Sequence, residues 1–368
     1  MLFRSQHRGG KGKMGMQKLD DSDDLVKDIF VAKNHDELLF FTSLGRVYSM
    51  RVYEVAEGSR TSKGRAIVNL LSLVEGETVV KLLCMREMEN KHIVMVTKKG
   101  IIKKTDAQAF AKIRVSGIRA IGLNDDDQLV FCGVSSGQDD IVLATAHGQG
   151  IRFKEEEVRS MGRQAAGVIG IRMRDKDYVV GMEIIDDENK NLLFATSNGY
   201  GKRTRVGDFR VAHRGGMGVR TIPTDRRNGD VVGLVIVSEE SHILLIDDNG
   251  KIIHLLPTEV RTMGRQAKGV RLIRLDEGRN LASIVAFEEE SAPESEQGPD
   301  TDEGQQENPA KPTKARVKAD GTEEDEDSSM VSFPQAESST DATGYSFDGY
   351  ADDDQEYIEK SDDDDEQQ

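Results

Sequence analysis

The chain has 368 residues, 66 acidic against 50 basic, with two cysteines and no tryptophan. It contains no apolar run of ~18 residues able to span a membrane, and Met1-Leu2-Phe3 followed by polar residues makes no secretory signal. Cys84 and Cys132 stand alone without CxxC spacing, which argues against a disulfide framework or a cysteine zinc site and fits a reducing, cytoplasmic compartment.

Read in chain order, three kinds of element alternate. The first is a basic-glycine module, Arg8-Gly9-Gly10-Lys11-Gly12, followed by Lys13. Next comes a short apolar run bounded by acids, residues 24–31. A predicted β-hairpin follows at residues 39–50, two apolar stretches around a Thr-x-x-Gly turn at Thr42 and Gly45. The trio then recurs. A module ending at Gly64, with Arg60, Lys63 and Arg65, precedes the run 77–84 and a hairpin turning at Gly100. The module ending at Gly117 has Ile113 where the others carry arginine, with Arg114 and Arg119 close by. It leads to the run 127–134 and a hairpin turning at Gly148. Arg163 to Gly167 heads the run 177–184 and the hairpin turning at Gly199. Arg214 to Gly218, with Arg220, heads the run 230–237 and the last hairpin, at Gly250, where Asp247 replaces the threonine. Arg265 to Gly269, with Lys268 and Arg271, precedes the closing run 280–287.

The module glycines are spaced 52, 53, 50, 51 and 51 residues apart. The acid-bounded runs are rich in Val, Ile and Leu and too short for helices, so they suit strands buried on both faces. Three or four short strands per repeat match a propeller-type blade rather than a solenoid coil, whose repeats are usually shorter. Six modules predict an all-β, six-bladed ring over residues 1–290. Its first and last pieces would pair to remove exposed strand edges.

From Ser291 onward there are 25 acidic and 5 basic residues, a net charge of −20, against +4 for residues 1–290. Residues 291–368 are nearly free of branched aliphatics and are expected to be a disordered acidic tail, either a solubiliser or a competitor for the basic surface.

Equivalent positions on a ring share one rim, so a cation recurring once per repeat becomes a belt. The modules supply Arg8, Lys11, Lys13, Arg60, Lys63, Arg65, Arg114, Arg119, Arg163, Arg214, Arg220, Arg265, Lys268 and Arg271. The hairpins are expected to add Arg46, Lys98, Lys99, Lys103, Lys104, Arg152, Lys202, Arg203, Arg205 and Lys251. With only 5% aromatic residues, the belt suits duplex DNA held by its phosphates more than single strands held by stacking. A curved belt would bend the duplex, at about 1–6 kcal/mol for 20–30 base pairs.

Gln6-His7-Arg8-Gly9-Gly10-Lys11-Gly12 resembles the gyrase A box, and residues 3–290 resemble the C-terminal domain of the DNA gyrase A protein. His7 stands where arginine is common in that box and is largely neutral at pH 7. The resemblance implies a six-bladed β-pinwheel that wraps duplex DNA around its rim and so directs ATP-dependent negative supercoiling. The implied partners are double-stranded DNA and the breakage-reunion part of the gyrase A protein, together with the gyrase B protein in an A2B2 assembly near the bacterial nucleoid. ATP and Mg would be handled by the gyrase B protein within the full enzyme, with no cofactor in this chain. The related protein of topoisomerase IV typically has a degenerate box and often fewer blades. None of the seven tyrosines sits in the arginine-tyrosine context of the family nucleophile.

Other signals carry little. Gly10 to Gly15 matches GxGxxG literally but lacks the flanking strand and helix of a dinucleotide site, and Met14 spoils a P-loop. The histidines have no HxxxH or HExxH spacing. Asp125-Asp126-Asp127 and Asp186-Asp187 lie in turn-like stretches. A propeller used as a protein-interaction scaffold is the competing reading, and a hydrolase propeller lacks a convergent acid, metal or nucleophile set.

Overall fold

The computed structural model describes residues 8–11, 13–14, 32–55 and 66–288. They all lie within the unit Met1–Glu296. The expected tail at 291–368, the run at 24–31, and Gln6, His7, Gly12, Arg60, Lys63 and Arg65 lie outside the described residues.

Each hairpin becomes the middle of a four-stranded antiparallel sheet. Blade 1 is built on Glu37–Thr42 and Arg46–Arg51, flanked by the inner strand Val79–Met85 and the outer strand Ile118–Arg119. Blade 2 joins His92–Thr97 and Ile101–Asp106 to Leu129–Ser135 and Val168–Ile169. Blade 3 joins Asp140–Thr145 and Gln149–Lys154 to Val179–Ile185 and Val219–Arg220. Blade 4 joins Asn191–Thr196 and Tyr200–Arg205 to Val231–Val237 and Val270–Arg271. Blade 5 joins Ser241–Asp247 and Lys251–Leu255 to Leu281–Glu288 and Lys13–Met14.

The turns form for local reasons. Gly45, Gly100, Gly148, Gly199 and Gly250 have φ between +69° and +83°, and each donates its N–H to the carbonyl of the Thr or Asp three residues earlier. The Thr97 and Thr145 hydroxyls accept from the N–H of the residue four positions on, and the Asp247 carboxylate does the same for Lys251. The chemistry of the turn therefore survives the change from threonine to aspartate.

Among the described residues there are five blades, not the six expected. A blade forms around a hairpin, and the described hairpins number five. A module does not head its own blade; its last residues run back to become the outer strand of an earlier sheet. Ile118–Arg119, for example, closes the sheet whose hairpin begins at Glu37. The first module pairs with the last blade, as expected of the first and last pieces. Lys13 and Met14 pair with Ile252 and Lys251, and Gly10 bridges Ile273.

Burial is also distributed differently from the expectation. The first strand of each hairpin is the most enclosed, with all six residues of Asp140–Thr145 buried, while the inner strands alternate buried and half-buried positions. Each inner strand packs on that of the next blade, from Val79–Met85 round to Leu281–Glu288. Glycine permits that approach: a Cβ on Gly181 would lie 2.6 Å from Leu234 Cβ. Among the described residues no helix is long and apolar enough to cross a membrane.

Candidate nucleic-acid interface

The modules end in the outermost strand of every described sheet, so their equivalent residues share one edge of each blade. The main chain, rather than the arginine side chain, fixes most of them there. Arg8 donates its backbone N–H to Glu259 Oε2 at 2.7 Å, Gly9 N–H bonds the Leu272 carbonyl at 2.7 Å, and Gly10 accepts from Arg274 N–H at 2.8 Å. Blade 3 repeats the pattern: Arg214 N–H to Glu157 Oε2, Gly215 N–H to the Gly170 carbonyl, and Arg172 N–H to the Gly216 carbonyl.

The modules of blades 2 and 4 are held from beneath by lysine. Lys103 and Lys202 are fully buried. Lys103 Nζ donates to the Ala120 and Arg163 carbonyls at 2.7 and 2.6 Å, and Lys202 Nζ to those of Gly264 and Arg265 at 2.8 and 2.6 Å. Burial, and then the neighbouring Arg163 or Arg265 charge, pushes each ammonium down to about 8.

Several hairpin cations therefore do not belong to the belt. Lys103, Lys104, Arg152, Lys202 and Arg203 are buried. Lys104 pairs with Glu155 at 3.4 Å. Arg152 donates to Asp140 and to the Val206 and Phe209 carbonyls, and Arg203 to Glu239 and the Val260 carbonyl. Lys103 and Lys104, like Lys202 and Arg203, are consecutive in one strand and point to opposite faces. Both members of each pair are nonetheless buried, because segments packed on either side supply carbonyls and acids that satisfy them.

Of the described module cations, Arg8, Lys11, Arg114, Arg119, Arg220, Lys268 and Arg271 are exposed, and Arg163, Arg214 and Arg265 are half-buried. Lys13 is placed by its pairing with Ile252. Arg214 is a structural residue, since its guanidinium donates to the Glu157 and Ile169 carbonyls at 2.9 and 3.0 Å. Arg265 lies 6.0 Å from the Phe209 ring centroid, and Lys268 forms an ion pair with Asp225, holding that carboxyl below its usual range. Lys11, Arg114, Arg119, Arg163, Arg220 and Arg271 form no ion pair with a carboxylate among the described residues.

Tyr200 and Arg227 also reach this edge and were missed by the motif. Arg227 stacks 4.2 Å from the Tyr200 ring centroid and donates to the Gly269 carbonyl. The signal was present as a basic pair in a loop that is acidic in other repeats, Asp125 to Asp127 and Asp276-Glu277 among them.

The family described as DNA gyrase C-terminal domain, beta-propeller, matches residues 2–33, 36–84, 91–136, 139–186, 190–238 and 241–287. The DNA gyrase A protein of Staphylococcus epidermidis is 40% identical over 291 residues, covering 78% of this chain and 32% of the relative. That of Staphylococcus aureus MRSA252 is 38% identical over 297 residues, 80% of this chain and 33% of the relative. The chain thus spans about one third of the length of these curated relatives. A solved DNA gyrase A C-terminal domain superimposes with a TM-score of 0.66 at 25% identity, covering 77% of this chain and 93% of that one. The C-terminal domain of a DNA topoisomerase IV gives 0.64 at 26% identity, covering 69% and 80%. With the module spacing, the sheet order and a match over every repeat agreeing, the chain belongs to the DNA gyrase C-terminal domain, beta-propeller, family.

Proposed function

We propose that the chain binds duplex DNA along the outer edges of its blades and wraps it, as the DNA-wrapping part of a gyrase-type topoisomerase. One observation carries this reading: every described sheet ends in a module strand whose exposed or half-exposed cations include at least one without a carboxylate partner among the described residues. Cations spaced by the blade repeat meet phosphates, whereas the base edges call for a recognition element that the described residues do not supply. The chain has no catalytic role of its own in this scheme. Strand breakage falls to the breakage-reunion part of the gyrase A protein, and ATP hydrolysis with Mg to the gyrase B protein, in the bacterial cytoplasm at the nucleoid. Wrapping would present a neighbouring duplex segment to the cleavage site and bias the product toward negative supercoils.

The topoisomerase IV C-terminal domain is nearly as close in fold. The relatives among DNA gyrase A proteins and the uninterrupted Arg8-Gly9-Gly10-Lys11-Gly12 favour gyrase. Ligation of a nicked circle with the protein bound tests wrapping directly: a change of linking number in proportion to bound protein is expected, and ligation products identical to those of free DNA would refute it. Affinity is expected to fall by about 0.9 log unit per log unit of salt for each phosphate neutralised. In the parent enzyme, joint substitution of Arg8, Lys11 and Lys13 by Ala should abolish supercoiling and spare relaxation.

A further inference from the structure

Blade 4 carries an arrangement that no other described blade repeats. Tyr200 begins the second hairpin strand and pairs across to Arg271 on the outer strand. The residues at the Tyr200 position in the other blades are Arg46, Ile101, Gln149 and Lys251, none of them aromatic. The Arg271 guanidinium lies 5.3 Å from the Tyr200 ring centroid and donates to its phenolic oxygen at 2.7 Å. The Arg227 guanidinium lies 4.2 Å from the same centroid and donates to the Gly269 carbonyl at 3.3 Å. One ring therefore carries two cations.

The loop that delivers Arg227 is fixed to the module beside it. Asn228 is fully buried and donates through Nδ2 to the Pro223 and Lys268 carbonyls at 2.8 and 3.0 Å. Asp225 accepts the backbone N–H of Arg227 and Asn228 and pairs with Lys268, so it is not spent on either guanidinium. Neither Arg227 nor Arg271 forms an ion pair with a carboxylate among the described residues. A guanidinium has five N–H donors, and these two use few of them, Arg271 on the Tyr200 oxygen and Arg227 on the Gly269 carbonyl and the Tyr200 oxygen. Two like charges on one ring repel. Cation–π attraction to the ring offsets part of that repulsion, and an anion bound between them would remove the rest. Planar guanidiniums match phosphate geometry in pairs.

We propose that Arg227 and Arg271, aligned by Tyr200, form an anchor for a backbone phosphate of duplex DNA, a fixed point in an otherwise diffuse belt. The anchor rests on the DNA-wrapping reading. It differs from the belt in depending on a neutral side chain, and that separates the two experimentally. Tyr200→Leu leaves the net charge unchanged but removes the ring that aligns both arginines. In the full chain, binding of a 30-base-pair duplex is measured across a salt series, with thermal unfolding to confirm that each variant is folded. The double variant Arg227→Gln/Arg271→Gln should reduce the slope of log affinity against log salt by about 0.9, the share of one phosphate, and each single variant by less. Tyr200→Leu should weaken binding by about five- to tenfold, and Tyr200→Phe, which keeps the ring, by less. A folded Tyr200→Leu that binds as tightly as the native chain, while native binding falls steeply with salt, overturns the anchor and leaves the belt standing. Native binding that ignores salt overturns the DNA reading itself. Inorganic pyrophosphate supplies a second arm. Millimolar pyrophosphate should compete only weakly, whereas tight binding of it that Arg227→Gln abolishes would make a small anion the ligand and overturn the assignment to duplex DNA.

Discussion

Blades 2 and 4 take their outer strands from Arg-Gln-Ala modules, 163–167 and 265–269, whereas blades 3 and 5 take theirs from Arg-Gly-Gly modules, 214–218 and 8–12. The hairpins beneath differ to match. Where the module is Arg-Gln-Ala, the third residue of the second hairpin strand is Lys103 or Lys202, whose ammonium holds module carbonyls. Where it is Arg-Gly-Gly, that residue is Ile151 or Ile253, and Glu157 or Glu259 accepts the backbone N–H of the module arginine instead. At the glutamate position blades 2 and 4 have Ala109 and Asp208. Blade 1 uses a third solution. Its Tyr48 ring occupies the place a Cβ on Gly117 would need, and Arg46 donates to the Ser116 carbonyl. The two main kinds show that module and hairpin are matched sets, with a donor from below facing carbonyls in one and an acceptor facing N–H groups in the other. They also show why counting arginines overstates the belt. Arg214 spends its guanidinium on docking, while the Arg163 and Arg265 contacts that dock their modules are made through carbonyls.

The largest expected effect is one the two kinds share. Gly218 and Gly269 end an Arg-Gly-Gly and an Arg-Gln-Ala module, at φ +71° and +81°. A Cβ on either would lie 2.3 Å from a backbone oxygen, that of Gly150 or Gly201. Left-handed strain and overpacking act together, so Gly218→Ala and Gly269→Ala should each cost about 2–4 kcal/mol in urea unfolding. Equal losses would confirm that both kinds approach the hairpin alike, and an unequal pair would show that the likeness stops at the backbone path.

A smaller effect should separate the kinds. Lys103→Met removes the ammonium donor from the Ala120 and Arg163 carbonyls, and Lys202→Met removes it from the Arg265 carbonyl while that of Gly264 keeps the Ala267 N–H, a loss of about 1–3 kcal/mol in each case. Ile151→Met changes little but shape and should cost less than about 1.5 kcal/mol. If the lysine variants are as stable as the native chain, the ammonium bonds do not hold the modules, and the matched-set account fails.

The hairpins and modules were readable because their signals are local. A glycine with positive φ, a threonine four residues before the strand resumes and an alternating apolar pattern need no knowledge of the rest of the chain. The blade count was not readable, because a module's sheet is chosen by pairing over a long separation: Ile118 meets Val47, and Met14 meets Lys251. The same distance hid the burial of Lys103. Its acceptor, the Arg163 carbonyl, lies 60 residues away in sequence, so its local context looked like that of an exposed strand cation. Tyr200 and Arg227 were invisible to a motif search because they lie in different segments, 27 positions apart, and meet only when the loop 223–229 docks on Lys268.

The smallest predicted effect is a pH dependence carried by one kind of blade. Lys103 and Lys202 have folded-state values of about 8, below the value of about 10.4 for an exposed lysine in the unfolded chain. Below pH 8 both states hold the proton, and the cost of keeping each buried ammonium is fully present. As pH rises from 8 toward 10.4 the folded chain releases that proton first, the unfolded chain binds more protons, and stability must increase. The gain between pH 7 and 9 comes to about 1 kcal/mol per lysine from those two values. Other groups titrate in the same range, so the informative quantity is the difference between the native chain and Lys103→Met or Lys202→Met. That difference should shift by about 1 kcal/mol across the interval, with the native chain gaining on the variant. Ile151→Met, on a blade without the buried lysine, should stay parallel to the native chain throughout. A lysine variant that tracks the native chain from pH 7 to 9 would mean that the two carbonyl bonds keep the proton on the folded ammonium over the whole range, and that they offset the desolvation which otherwise drives it off.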